Sequence, residues 1–170
     1  MDFLELARER YSCKKYAPTP VEKEKLDAIL EAARIAPTAK NSQPQRVYVL
    51  QSEEALSKAD GLTPCRYGAP VMLLIAYDRD LVFHYPGGVY DSGAEDMGIV
   101  ATHAMLAAAA EGVDSCWVNF FDPDKAAKAF GLPENEVPVL FLDLGYAAPE
   151  AGPLDNHIKR KPLEETTTWL

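Results

Sequence analysis

Arg10, Ser12 and Lys14 alternate along one end of a 170-residue chain, and Lys159, Arg160 and Lys161 crowd together near the other. A guanidinium offers a planar fork of donors, an ammonium a mobile point charge and a serine hydroxyl one donor more, a set that suits a phosphate monoester. With Arg8 and Lys15 these clusters hold seven of the 17 basic residues of a protein whose formal charge is −9. A charge run is usually a solvated face. If the two ends meet in space, they form a compact anion site instead.

Other chemistries find little support. The ten glycines form neither G-x-G-x-x-G nor G-x-x-x-x-G-K-[ST], the two common backbone cradles for a nucleotide. No C-x-x-C, H-E-x-x-H or G-x-S-x-G occurs, and His84, His103 and His157 lie far apart, so no metal site or serine hydrolase is expected. His103, inside an alanine-rich stretch, reads as a core or interface residue. Cys116 and Trp117 read as core, without a cysteine nucleophile. Twenty-six acidic residues against 17 basic ones disfavour a nucleic-acid surface. Cys13, Cys65 and Cys116 are an odd set without metal-type spacing and suit a reducing cytoplasm. Acids at Asp2 and Glu5 stand where an export signal needs a basic lead. The longest strongly apolar run, Val71–Tyr77, is far short of the roughly 20 residues of a membrane helix, and no membrane partner is expected.

The elements that must position these groups follow from pattern. Asp2 and Glu5 read as a capping box for a short opening helix that stops near Tyr11, and Thr19-Pro20-Val21-Glu22 as a second, with Thr19 the N-cap and Pro20 at the first helical position. Leu26, Ile29, Leu30 and Ala33 mark that helix's apolar face and Pro37 ends it. Val47–Leu50 predicts a strand, Ser52 a cap for a helix to about Ala59, and Val71–Tyr77 a central strand covered on both faces. Residues 78–91 read as a surface excursion. An alanine-rich helix runs from Gly93 to Glu111 with a stop at Gly112, and its small residues also suit a subunit interface. Ser115–Phe120, a helix from Asp122-Pro123 to Gly131 and a strand at Val137–Leu144 follow. Two helices precede the first strand, so the pattern predicts a single α+β domain over 1–170, not a Rossmann unit.

Arg10-Tyr11-Ser12-Cys13-Lys14-Lys15-Tyr16 resembles the opening Arg-x-Ser-x-(Arg/Lys) motif of the nitroreductase family of flavoproteins, and Ala36-Pro37-Thr38-Ala39-Lys40-Asn41-Ser42-Gln43-Pro44 resembles its A-P-[ST]-x-x-N-x-Q-P segment. Gly112–Val118, Leu144-Gly145-Tyr146 and Lys159–Glu165 fit in the same order, so the resemblance spans nearly the whole chain. It implies a mixed, mainly antiparallel sheet flanked by helices, with the long helix at a homodimer interface. It also implies flavin mononucleotide (FMN) as cofactor, with Arg10, Ser12, Lys14 and Arg160 on the phosphate and Lys159 or Lys161 assisting. Pro37, Thr38, Asn41 and Gln43 would approach the ring from the other subunit, although by type alone Asn41 is a turn cap.

The implied activity is reduction of nitroaromatics, quinones or other electron-poor acceptors by NADH or NADPH in a ping-pong cycle, with the flavin, not a side chain, carrying the reacting atom. Other outcomes on the same scaffold are dehalogenation, enone reduction, or flavin storage or sensing without turnover. The chain departs from larger members in being short. It lacks room for a long additional helical lid, so the Phe83–Tyr90 excursion is expected as a substitute cover, its aromatic residues either stacking on a flat substrate or packing the loop.

Overall fold

Every strand of the sheet pairs antiparallel, and each face of the sheet is closed by a pair of helices. A computed structural model describes residues 2–170. In chain order the elements are α1 (Phe3–Glu9), α2 (Lys23–Ile35), a 3₁₀ turn (Ala39–Asn41), β1 (Gln45–Leu50), α3 (Glu53–Asp60), β2 (Val71–Asp78), α4 (Gly93–Ala110), β3 (Asp114–Val118), α5 (Pro123–Phe130), β4 (Glu136–Gly145) and α6 (Leu163–Thr166). The four strands are ordered β1-β2-β4-β3. The parallel element of the expected mixed sheet is an isolated bridge between Ser12 and Ser115.

The register sorts side chains by their period of two. Leu73 opposes Leu142 and Leu74 opposes Phe141. Leu73, Ile75, Leu140, Leu142 and Leu144 pack with Leu26 and Ile29 of α2 and Met97, Val100 and Ala104 of α4. Met72, Leu74, Phe141, Cys116 and Val118 pack on the other side with Ala59 of α3 and Ala126 of α5. β2 is therefore buried on both faces, as its unbroken apolar run predicts, and each leucine or isoleucine so enclosed contributes roughly 1.5–3 kcal/mol of transfer free energy.

At the start of α4, a Cβ on Gly93 would lie 2.5 Å from the Tyr77 ring, so the close approach of helix and strand requires glycine. Gly112, at φ 70°, supplies the left-handed stop, and Val113 N–H donates back to the Ala108 carbonyl at 2.8 Å.

Two expectations need correction. α2 begins at Lys23, not beside Thr19, because Val21 is buried in the core and holds the chain extended, and the Glu22 carboxylate accepts from the Tyr146 hydroxyl instead of closing a capping box. Asp2 makes no side-chain cap to α1. The 78–91 stretch is a surface excursion, as expected, and a turn closes its tip: His84 bridges Asp91, and Tyr85 N–H donates to the Tyr90 carbonyl at 3.0 Å across Gly87 and Gly88, both at positive φ.

One buried group stands out energetically. Asp143 of β4 is fully buried opposite Cys116, and neither carboxyl oxygen finds a hydrogen-bond partner among the described residues. Burial pushes its pKa up to about 9, with the Arg66 guanidinium opposing that only in part. The folded chain therefore keeps a proton that the unfolded chain releases near pH 4. Its contribution to stability is fully present below that pH and is lost progressively as pH rises, until the folded group ionises near 9. Asp143→Asn should flatten this decline in urea-unfolding midpoints measured from pH 5 to 9; an unchanged slope would show that the burden lies elsewhere.

Candidate functional site

The two basic clusters meet. After α1 the chain lays Arg10–Lys14 along the β3 edge, where Cys13 N–H donates to the Ser115 carbonyl at 2.9 Å and the Ser12–Ser115 bridge forms. Cys13 is buried while Arg10, Ser12 and Lys14 keep contact with solvent, which is the alternation of an extended segment. The C-terminal stretch folds over it: His157 Nε2 donates to the Arg8 carbonyl at 3.0 Å, and its ring meets Tyr11 edge-on at 6.3 Å between centroids. Between them lies an open pocket of about 300 Å³ lined by Arg10, Tyr11, Ser12, Lys14, Leu154, Asn156, His157 and Arg160.

Lys14 Nζ is held 5.3 Å above the Tyr67 ring, and the Arg160 guanidinium donates to the carbonyls of His157 and Lys159. Among the described residues no carboxylate forms an ion pair with Arg10, Lys14 or Arg160. In a chain of charge −9 that is an electrostatic environment fitted to an anion. Lys161 turns away to Glu165 at 3.7 Å, and neither it nor Lys159 lines the pocket. Asn156 and His157 were missed as lining residues; His157 lay within the basic run, while Asn156 carried no signal.

Pro37, Thr38, Asn41 and Gln43 gather elsewhere. α2 ends at Ile35 because Ala36 precedes proline and is pushed to extended dihedrals. Lys40, Asn41 and Gln43 then adopt φ of 54°, 54° and 52°, in the left-handed region that costs L-residues roughly 1–2 kcal/mol each. Three bonds hold them there. Ala39 N–H donates to Asp96 Oδ1 at 2.8 Å, Gln43 N–H to Thr38 Oγ1 at 3.0 Å and Asn41 N–H to the Thr38 carbonyl at 2.9 Å. Asp96 is buried in α4; its Oδ2 accepts from Ser92 Oγ at 2.7 Å, which in turn accepts from Phe83 N–H at 3.0 Å. The exposed amides of Asn41 and Gln43 are thus carried on a strained turn, an arrangement concentrated at functional sites. Asn41 fits both of its readings, since asparagine tolerates this backbone region and also presents its amide.

The turn and the basic pocket lie toward opposite ends of α4. Asp96 anchors the turn in the first helical turn, whereas Ala109 and Gly112 border Arg10 and Tyr11 at the far end, about 20 Å along the axis. Cys116 is an inert thiol, its pKa raised to about 11 first by burial and then by Asp143; burial raises Cys13 as well. The Trp117 indole packs against the core and donates to Asn119 Oδ1. His103 Nδ1 donates to the Ile99 carbonyl of its own helix at 2.9 Å.

This fold and these two motifs coincide with a family assignment: the chain belongs to the nitroreductase family, whose model matches residues 7–64 and 58–146. A nitroreductase family protein of Clostridium difficile 630 is 40% identical over 99% of this chain and 98% of its own, with a TM-score of 0.93. A Methanothermobacter thermautotrophicus protein named for NADH dehydrogenase/NAD(P)H nitroreductase activity is 30% identical over 91% of this chain and 82% of its own length. The same fold occurs in a nitroreductase in complex with FMN from Exiguobacterium sibiricum, at a TM-score of 0.85 and 24% identity over 100% of this chain and 98% of that one.

Asp96→Ala would leave the Ala39 amide and the Ser92 hydroxyl without their acceptor, at a cost of about 2–3 kcal/mol. Equilibrium urea unfolding should show that loss, and faster amide exchange at residues 39–43 would localise it to the turn.

Proposed function

We propose that this chain, acting as one flavin-binding domain over 1–170, is an FMN-dependent oxidoreductase that uses NADH or NADPH to reduce nitroaromatics, quinones or similar electron-poor acceptors. The observation that carries this reading is the convergence of Arg10, Ser12, Lys14 and Arg160 on one pocket. Their donors fit a phosphate monoester: two forks, a point charge and a hydroxyl, with no carboxylate among the described residues paired to the cations. Lys159 and Lys161 stand outside it, so Arg160 alone supplies the distal charge. The nitroreductase family membership and the FMN complex of the E. sibiricum relative point to the same cofactor.

Bound there, FMN would supply reversible two-electron chemistry, accepting reducing equivalents from the nicotinamide and passing them to the second substrate in alternation. The chain's own task is to bind and orient. Asn41 and Gln43 offer amide donors and acceptors matched to the polar edge of the ring, Thr38 and Pro37 set the turn that carries them, and the Arg160 and Lys14 charges favour an anionic ligand. No side chain is needed as nucleophile or base.

About 20 Å of helix separates the phosphate pocket of one chain from its own amide turn. We therefore place the working site between two copies, each giving one half. α4 offers the contact: Gly98, Thr102 and Leu106 repeat every four residues on a half-buried face, the Thr102 hydroxyl is spent on the Gly98 carbonyl at 2.7 Å, and nothing lies within 4 Å of a Cβ placed on Gly98. Exposed Ile158, Leu163 and Trp169 add apolar surface for a second chain to cover. Three unpaired cysteines suit a reducing compartment such as the cytoplasm.

A visible spectrum followed by anaerobic NADH and then NADPH tests the activity. A yellow protein that bleaches is expected; yellow without bleaching would favour storage or sensing, and a colourless protein that refuses FMN would overturn the reading. Arg10→Ala with Arg160→Ala should reduce flavin occupancy at least tenfold, the loss of roughly two charge-assisted contacts. Leu106→Arg should give, in sedimentation velocity, a monomer that has also lost its flavin.

A further inference from the structure

An open groove adjoins the strained turn, with none of the basic-cluster residues in its lining. It measures about 380 Å³ and is lined by Lys40, Ser42, Leu81, Val82, Phe83 and His84. Its floor is apolar and one wall is a cation: Lys40 Nζ stands 4.6 Å from the centroid of the Phe83 ring. No acid holds that ammonium; among the described residues Lys40 forms no ion pair, although the chain carries an excess of carboxylates.

The placement of the lysine is also built in. Lys40 is in the left-handed region at φ 54°, where a lysine has no intrinsic reason to be, and the Asp96 bond to Ala39 fixes the residue before it. Through Ser92, the same Asp96 network anchors Phe83, so the two sides of the pocket are fastened to one buried carboxylate and keep their spacing. Asn41, offered to the ring edge in the proposed function, is the next residue along.

We infer that this pocket is the acceptor site and that it selects an aromatic anion, with Lys40 the specificity-determining residue. This rests on the proposed function for the identity of the reaction, but not for the binding itself. The ring of such a ligand packs on Leu81, Val82 and Phe83, and its carboxylate takes the Lys40 ammonium. The lysine's contact with Phe83 is weak at an exposed site and is readily exchanged for an anion.

The test compares 4-nitrobenzoate with nitrobenzene, alike in ring and nitro group and different in charge. Equilibrium dialysis against the purified, flavin-loaded protein should show the anion bound about three- to fivefold more tightly, the range an exposed ion pair supports. Lys40→Gln should abolish that preference and Lys40→Arg should retain it. In turnover with the same two acceptors, the ratio of their kcat/KM values should fall by the same factor in Lys40→Gln, through KM. Equal affinities in the wild type, or a preference that survives Lys40→Gln and so belongs to the Arg10 pocket, would overturn the inference. The spectrum of the same sample separates the two claims: a chain that refuses FMN yet keeps Lys40-dependent binding of 4-nitrobenzoate has lost the proposed activity and kept this site.

Discussion

One buried carboxylate organises the ligand-facing half of the molecule. Asp96 is buried within α4, and a carboxyl group at that depth is costly unless its oxygens are engaged. One oxygen is used by the Ala39 amide and the other by the Ser92 hydroxyl, so the demand of a single side chain fixes both the turn after α2 and the start of the loop that ends at α4. The strained backbone of Lys40, Asn41 and Gln43 is stable because relaxing it would strip Asp96 of a donor. Strain here is maintained by the rest of the fold, and the groups it presents are held in place before any ligand arrives.

The other half is organised by charge instead of burial. Arg10, Lys14 and Arg160 are exposed or half-exposed cations, brought together because an extended segment after α1 and the last stretch of the chain lie side by side. Mutual repulsion opposes that arrangement, and it is offset by contacts that do not neutralise the cations: Tyr67 beneath Lys14, backbone carbonyls at Arg160, and the His157–Arg8 bond between the two segments. A pocket made this way retains its attraction for an anion, whereas one built from salt bridges would have consumed it.

Most of the fold was legible because local signals and global packing agree. The unbroken apolar run of β2, the glycine stops at 112 and 131 and the Ser52 and Asp122 caps all lie where their residues indicate. The α2 boundary was misread because Thr19-Pro20 carries a strong local start signal that the burial of Val21 overrides. The basic residues of the pocket were legible by type, and their meeting was conditional on the topology, which sequence spacing does not reveal. Asp96 escaped notice altogether. An acid within an alanine-rich helix looks like an ordinary first-turn charge until its two donors, one from 57 residues away, are seen.

The extended segment Arg10–Lys14 runs against β3, the outer strand on that side of the sheet. An uncovered outer strand is a template for pairing with other chains, and charged side chains over it are a common protection. The segment that gathers the anion-binding groups is therefore also the guard of the sheet's margin. Sequence drift there is constrained twice: a change that releases Cys13 from Ser115 would loosen the pocket and at the same time open a route to self-association into aggregates.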